Sequence, residues 1–310
     1  MSSSNTSTEN KAPVIFYHAN CPDGLAAASV FHRLLRMPES AYIPSHYGVA
    51  PTQDVTDRMV YILDFTFSPE ITKELVAKAR EVHLLDHHHA AVEKLREVEG
   101  LNIFSPQGKQ LSGVGLAWEF IHEGERILPK LYAHIQDRDL WKKELVDTEE
   151  VCCALNLLPR TVHAFANLGN DYAEIGGELL GYGQIVKLGR YLLMKQKADV
   201  QQHMKLAYEV VFAGHEHDPV LACNAHGMFA SDLGEALAKD RLFSVTYYDL
   251  GDGRRKYSLR SNANGSNFDV CKLANQFGGG GHRNAAGFYA PVPEATPPGH
   301  QVFQIISEDE

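Results

Sequence analysis

Apolar residues fall in short blocks along the first half of the chain. Val14-Ile15-Phe16-Tyr17, Met59 to Leu63 and Glu81 to Leu85 each read as a buried strand. Leu25 to Arg36, with an Ala-rich face, and then Ile71 to Arg80 and Ala90 to Val98, carry helical spacing. Strands alternating with helices predict parallel strands in an α/β sheet. Val114 to Ile121 and Leu131 to Ile135 continue as helices. From about Val162 to Phe212 the pattern is mostly helical and reads as a connector. There Ile185, Leu188 and Leu192 stand at i, i+3 and i+7, a stripe that reads as core packing.

The pattern changes at Pro219. Val220 to Cys223, Phe243 to Tyr248 and Lys256 to Arg260 read as strands, with Asp252-Gly253 as a hairpin turn between the last two. Asp232 to Ala238 and Val270 to Phe277 read as helices. A second, smaller α/β domain is expected here.

A chain of 310 residues has room for two domains. With 44% hydrophobic and 22% charged residues, it is a globular chain and not a disordered one. The net charge of −10 argues against binding long nucleic acid through its phosphates. A small phosphorylated ligand, held by a few residues and metal ions, suits that balance better. Five cysteines, an odd number with two adjacent, point to reduced thiols and a cytoplasmic setting. No apolar run reaches the roughly 18 residues of a membrane span. Met1 to Asn10 lacks the apolar stretch of a secretory signal and reads as a tail, as does acidic Ser307 to Glu310.

The strand ends carry the candidate chemistry. His18, Asp64 and Asp86-His87 directly follow apolar runs, and Asp23 lies in the turn after the first. In open parallel sheets, ligands bind beyond the carboxyl ends of the strands, so these five residues are expected at one edge. Imidazole and carboxylate together suit Mn²⁺, Zn²⁺ or iron. Sixteen histidines, three of them in Asp86-His87-His88-His89, draw the same inference. A second signal is Gly278-Gly279-Gly280-Gly281-His282-Arg283-Asn284-Ala285-Ala286-Gly287. Bare glycine backbone can approach an anion closely. With His282 and Arg283 following, and Arg260-Ser261 upstream, a phosphate site is expected. Other polar clusters read as ordinary surface. His215-Glu216-His217-Asp218 reads as a solvated turn, and Asp137-Arg138-Asp139-Leu140-Trp141 as a salt-bridged one. His46, before Tyr47-Gly48, could face a cleft.

Asp86-His87-His88 and the later Gly-Gly-Gly-His-x-x-Ala-Ala-Gly segment resemble the two signatures of the DHH/DHHA1 phosphoesterase superfamily. The resemblance runs from about Val14 to Ala290. It implies a parallel-sheet DHH domain (13–160) after a disordered tail (1–12). A helical connector (161–215), a smaller α/β DHHA1 domain (216–305) and an acidic tail (306–310) follow, with the active site in the cleft between the domains. It also implies two divalent ions, Mn²⁺ first, with Mg²⁺, Zn²⁺ or Fe²⁺ as alternatives. Asp64 would bridge them. His87 and Asp137 would bind one ion with Asp23, and His18 the other; Asp139 is the runner-up to Asp137. Asp86 would orient His87, and His88 would face the substrate phosphate; these two form the catalytic pair. Arg260, Ser261, Gly279, Gly280, Gly281, His282 and Arg283 would hold the rest of the substrate. The family's first motif has two acids, and Cys21 stands where the first belongs. Cys21 is a softer ligand on one reading and a small buried residue on the other.

The function implied is metal-dependent hydrolysis of phosphodiester or phosphomonoester bonds in short nucleotides: nano-RNA, linear dinucleotides or a nucleoside bisphosphate. Exonuclease action on short chains falls within it. Long duplex nucleic acid and membranes are not expected partners, and a homodimer is compatible. Two alternatives stand beside it. One is a metal-deficient nucleotide-binding or scaffold protein, which the change at Cys21 favours. The other is a phosphatase acting on a small non-nucleotide metabolite.

Overall fold

The computed structural model describes residues 11–212 and 218–292, together with the backbone of 303–305. Most of the expected N-terminal tail, the acidic C-terminal tail and His215-Glu216-His217 lie outside these residues.

The chain opens with β1 (Val14–His18), α1 (Pro22–Leu35), β2 (Tyr42–Ser45), β3 (Met59–Leu63) and α2 (Pro69–Lys78). β4 (Glu81–Leu85), short α3 (His89–Glu93) and β5 (Leu101–Ile103) complete a five-stranded sheet of order β2-β1-β3-β4-β5. All its pairs are parallel. Both faces are covered, as a parallel sheet requires. Val14, Phe16, Val60, Ile62, Val82 and Leu84 pack into one core with Leu75 of α2. Ile15, Tyr17, Leu63 and Leu85 face the other core. That second core also receives α1, α4 (Gly113–His122), α5 (Lys130–Asp139), α6 (Thr148–Leu155) and α7 (Val162–Ala166).

The stretch expected to be helical from Val162 to Phe212 contains a hairpin, β6 (Tyr172–Ile175) and β7 (Glu178–Gly181). Gly176 and Gly177 both take positive φ at its turn, which explains why two glycines sit there. α8 (Tyr182–Met204) follows. Ile185 of the predicted stripe is fully buried in the first unit's core, with Leu188 packed beside it. The chain divides within α8 into two compact units, Met1–Leu193 and Met194–Glu310.

α8 packs closely on α6. A Cβ built on Gly189 would lie 1.8 Å from the carbonyl oxygen of Glu150. Gly189→Ala gains helix propensity of about 1 kcal/mol, but backbone cannot rotate out of the way. We expect the clash to win by roughly 2 kcal/mol and to lower the melting temperature by about 4–8 °C. A thermal midpoint at or above that of the parent would overturn this.

The second unit holds a seven-stranded sheet. Its strands are β8 (Tyr208–Phe212), β9 (Val220–Asn224), β10 (Ser244–Asp249), β11 (Arg254–Arg260), β12 (Gly280–His282), β13 (Ala285–Pro291) and β14 (Phe303–Ile305). The order is β12-β13-β11-β10-β9-β8-β14, antiparallel except at β9–β10. α9 (Asp232–Leu237) and α10 (Val270–Gln276) supply Leu237 and Leu273 to its two cores. All five cysteines are free thiols. Among the described residues no helix is long and apolar enough to cross a membrane.

Candidate metal centre

Register decides what meets at the sheet edge. Tyr17 of β1 lies opposite Leu63 of β3, and Leu63 lies opposite Leu85 of β4. His18 ends β1 at that level, and Asp64 and Asp86 are the next residues after β3 and β4. The strand order turns back between β1 and β3, which opens a crevice at this edge.

Asp64 is the hub. Its backbone is left-handed, φ 63°, an unusual conformation for a residue other than glycine. Its N–H donates to the Leu85 carbonyl at 2.9 Å, which ties the strained residue to the neighbouring strand. One carboxylate oxygen, Oδ2, lies 3.4 Å from His18 Nδ1. The other, Oδ1, lies 3.3 Å from His87 Nε2. His87 Nε2 is also 3.1 Å from Asp139 Oδ2. The carboxylate thus turns one oxygen to each of two donor groups, His18 with Cys21 on one side and His87 with Asp23 and Asp139 on the other.

These contacts have ion-pair distance without hydrogen-bond alignment. Among the described residues, eight buried side-chain polar atoms lack a hydrogen-bond partner. Five belong here: His18 Nδ1, both Asp64 oxygens, Asp86 Oδ2 and His87 Nε2. Buried polar atoms are normally paired, so this concentration calls for something that binds them all. Nitrogen and carboxylate donors that converge without satisfying one another suit a divalent cation.

The charges agree. Burial, and then the charges of Asp64 and Asp139, push the Asp23 carboxyl well above the ordinary range. Burial acts upward on Asp64 too, but the His18 and His87 imidazoles outweigh it and hold that carboxyl low. Burial alone would lower His87, yet the Asp139 and Asp64 carboxylates beside it raise it to about 10. Acids crowded around a protonated imidazole form a group that a cation would relieve.

Two glycines permit this crowding. A Cβ on Gly24 would lie 2.6 Å from the His18 carbonyl oxygen, so only glycine lets the first turn of α1 lie against the end of β1. A Cβ on Gly113 would lie 2.6 Å from Asp64 Cβ and 2.8 Å from Asp23 Oδ2. Asp23 is anchored at the start of α4, where its carboxylate accepts from Ser112 Oγ at 2.7 Å and from the N–H groups of Gly113 and Val114. The helix N-terminus favours its charge.

Asp137 is not brought to the centre, contrary to expectation. It is buried, and its carboxylate accepts from Thr148 Oγ1 at 2.6 Å, Glu144 N at 2.9 Å and Leu145 N at 3.3 Å. Burial acts upward on its carboxyl, but these bonds prevail and hold it below the ordinary range. Asp137 and Asp139 are two positions apart on α5 and so point in different directions. The first pins the following loop, and the runner-up Asp139 joins the donors. Asp86 also differs from expectation: its Oδ1 bonds His88 Nδ1 at 2.7 Å, so it orients His88 rather than His87. Cys21 does reach the centre, in the group with His18 and Asp64. Burial and the charges of Asp64 and Asp23 push its thiol strongly upward, so without a cation it stays protonated.

In the second unit, the expected substrate residues cluster at one end of β11, β12 and β13, where Arg260 pairs with Ala285 and His282 with Ala285. Several are already engaged. Arg260 donates to the Leu259 carbonyl and to Ser231 Oγ. Ser261 donates to the Phe268 carbonyl and accepts from Asn284. Arg283 bonds Asn267 and lies 3.7 Å from Asp269. The glycine run ends in a strand. Gly280 to His282 is an edge strand, and a Cβ on Gly279 or Gly281 would collide with β13 backbone.

No family model matches the sequence. An uncharacterized protein of Acanthamoeba polyphaga mimivirus is 29% identical over 299 residues, covering 90% of this chain and 68% of its own. The structure of the pGpG-specific phosphodiesterase PggH of Vibrio cholerae superposes with a TM-score of 0.50 at 15% identity, covering 91% of this chain and 94% of that one. The DHH domain of a member of the s1p family of ribosomal proteins superposes with a TM-score of 0.53 at 13% identity, covering 89% and 82%. The chain has the DHH/DHHA1 fold. The Asp-His-His run lies at the end of β4, with its first histidine among the donors. Tyr47 was missed from sequence. Its ring lies 5.1 Å from that of His18 and 6.4 Å from that of His88, while its neighbour His46 had drawn the attention. Ser112 and Gly113 were missed as well, because a helix start 89 residues after Asp23 gives no local signal.

Proposed function

We propose that this chain is a metal-dependent phosphoesterase acting on short nucleotides. One observation carries the reading: the two oxygens of Asp64 face two separate donor groups, which suits a pair of divalent ions sharing one carboxylate. His18, Cys21 and Asp64 would hold one; Asp64, Asp23, His87 and Asp139 would hold the other. Bound there, divalent ions supply positive charge for phosphoryl oxygens and an acidified water. The chain's own residues do the rest. Asp23, braced by the start of α4, and Asp64, braced by Leu85, keep the donors in place. His88 is 42% exposed on its side chain and held by Asp86, which raises its pKa, so it can present a proton to a leaving oxygen. The fold supports the reading, since PggH, which shares it, is by its name a phosphodiesterase. In the second unit, exposed His282 and Arg283 belong to the same proposal as groups for the rest of the substrate, with Arg260, Ser261 and the glycines around them. Cys21 supplies a donor rather than a gap, which favours the enzyme over the metal-deficient scaffold.

The test is product release from a dinucleotide, a five-nucleotide RNA and 3′-phosphoadenosine 5′-phosphate, with Mn²⁺ and again with chelator. Chelator-sensitive turnover of at least one is expected. No turnover with Mn²⁺, Mg²⁺, Zn²⁺ or Fe²⁺, alongside nucleotide binding, would leave the scaffold reading in its place. Turnover confined to non-nucleotide phosphate esters would favour the metabolite phosphatase.

A further inference from the structure

A cavity of about 410 Å³ adjoins the metal centre within the first unit. Its volume is that of a small-molecule site. Asp23 and Asp139 line it where it meets the donors, and Arg138, Arg160, Trp141 and Leu155 line the rest. Neither arginine forms an ion pair with a carboxylate among the described residues, although a salt-bridged turn was expected around Arg138. Arg138 contacts the Cys152 thiol instead, and Arg160 donates to Asn156 Oδ1 at 3.1 Å.

Trp141 is the unusual member. It is 71% exposed, although tryptophan is ordinarily well buried. Its backbone is left-handed, φ 54°, a conformation that large side chains avoid. The loop that Asp137 pins also holds Trp141, through Trp141 N to the Arg138 carbonyl at 3.0 Å and Lys142 N to the Asp137 carbonyl at 3.0 Å. Lys143 Nζ lies 4.4 Å from the centre of the indole ring and is itself paired with Glu149. One ring face is thereby backed, and the exposure of the residue leaves the other for a planar partner. The left-handed backbone closes the end of α5, and in doing so it holds a large aromatic out beside the donor groups, where a planar ligand can reach it.

We propose that this cavity is a nucleotide subsite, in which the base stacks on Trp141 and its phosphate pairs with Arg138 and Arg160. The inference deepens the phosphoesterase reading by naming a base as what the site selects, and it rests on that reading for its place in catalysis. A stacked base and a forked guanidinium–phosphate contact are the means by which single nucleotides are held without sequence preference.

The test is binding by the full-length protein in chelator, which keeps metal and turnover out of the measurement. AMP and ribose 5-phosphate are titrated while tryptophan fluorescence is read. Of the two tryptophans, Trp118 is buried, so quenching by a stacked base reports Trp141. AMP is expected to quench saturably and to bind at least tenfold more tightly than ribose 5-phosphate. By equilibrium dialysis, Trp141→Ala is expected to weaken AMP binding by roughly tenfold or more, and Trp141→Phe to restore it to within threefold. Arg160→Ala should weaken both ligands. Equal binding of AMP and ribose 5-phosphate, undiminished AMP binding in Trp141→Ala, or no AMP binding at all would overturn the proposal. The outcomes separate from those of the function itself: binding here without hydrolysis under any metal would sink the phosphoesterase reading alone, and hydrolysis without binding here would sink this subsite alone.

Discussion

Asp64→Asn is expected to abolish hydrolysis while leaving the fold intact. Asparagine has the size of aspartate and is among the few residues that tolerate positive φ, so the strained position at φ 63° is kept. The N–H bond to Leu85 is a backbone bond and also survives. What is lost is a charge that two donor groups share. An amide offers one weak oxygen donor and an NH₂ group that repels a cation, so it cannot serve both sides. Loss of an outer-shell partner to a metal ligand costs roughly 10–100-fold in affinity or activity. Loss of the shared ligand itself should exceed that, and we expect a fall of about 10³-fold or more. Metal content after dialysis should fall in parallel, and the melting temperature in chelator should move by no more than a few degrees. Parent-level metal content together with parent-level turnover would remove Asp64 from its assigned place.

Gly113→Ala is the second large effect, and two forces oppose each other in it. Alanine at the first position of a helix is ordinarily favourable, by up to about 1 kcal/mol. Here the added methyl would stand 2.6 Å from Asp64 Cβ, 2.9 Å from Asp64 Cγ and 2.8 Å from Asp23 Oδ2. Neither acid is free to yield. Asp23 is held by three hydrogen bonds at the start of α4, and Asp64 by its strand. Overpacking of this kind costs about 1–3 kcal/mol, and displacement of a reacting group by an ångström can cost about 100-fold in rate. We therefore expect a modest loss of stability and at least a hundredfold loss of turnover, read by thermal unfolding and initial rates. A stabilised protein with full activity would show that the α4 start stands further from the two acids than described.

Much of the centre could be read from the sequence because its residues sit at strand ends. The alternation that marks a buried strand also marks where it stops, and His18, Asp64 and Asp86-His87 are the residues found there. What could not be read depends on angles and distant partners. Asp137 and Asp139 look equivalent in a string of letters; a helix separates them by about 200°, and only the three donors around Asp137 show which one turns inward. The glycine run signals close approach without saying to what. The approach at Gly279 is to the Gly287 carbonyl oxygen, 2.2 Å from a built Cβ, which makes sheet packing the reason for that glycine. The β6–β7 hairpin was hidden because four-residue strands with little burial carry almost no periodic signal.

The wide spacing of the donors along the chain has a consequence for how the protein matures. They run from His18 to Asp139 and come from the ends of β1, β3 and β4 and from the end of α5. Any nascent chain ending before residue 139 lacks Asp139, one of the donors beside His87, however well its first strands have paired. The donor group around His87 is therefore incomplete until the parallel sheet has closed and α5 has docked, steps governed by contacts between distant residues and hence slow. Metal supply should leave the rate of folding largely untouched and act instead on the rate of unfolding. It would keep the finished sheet edge from reopening, with the cell's free metal concentration setting the lifetime of the native state.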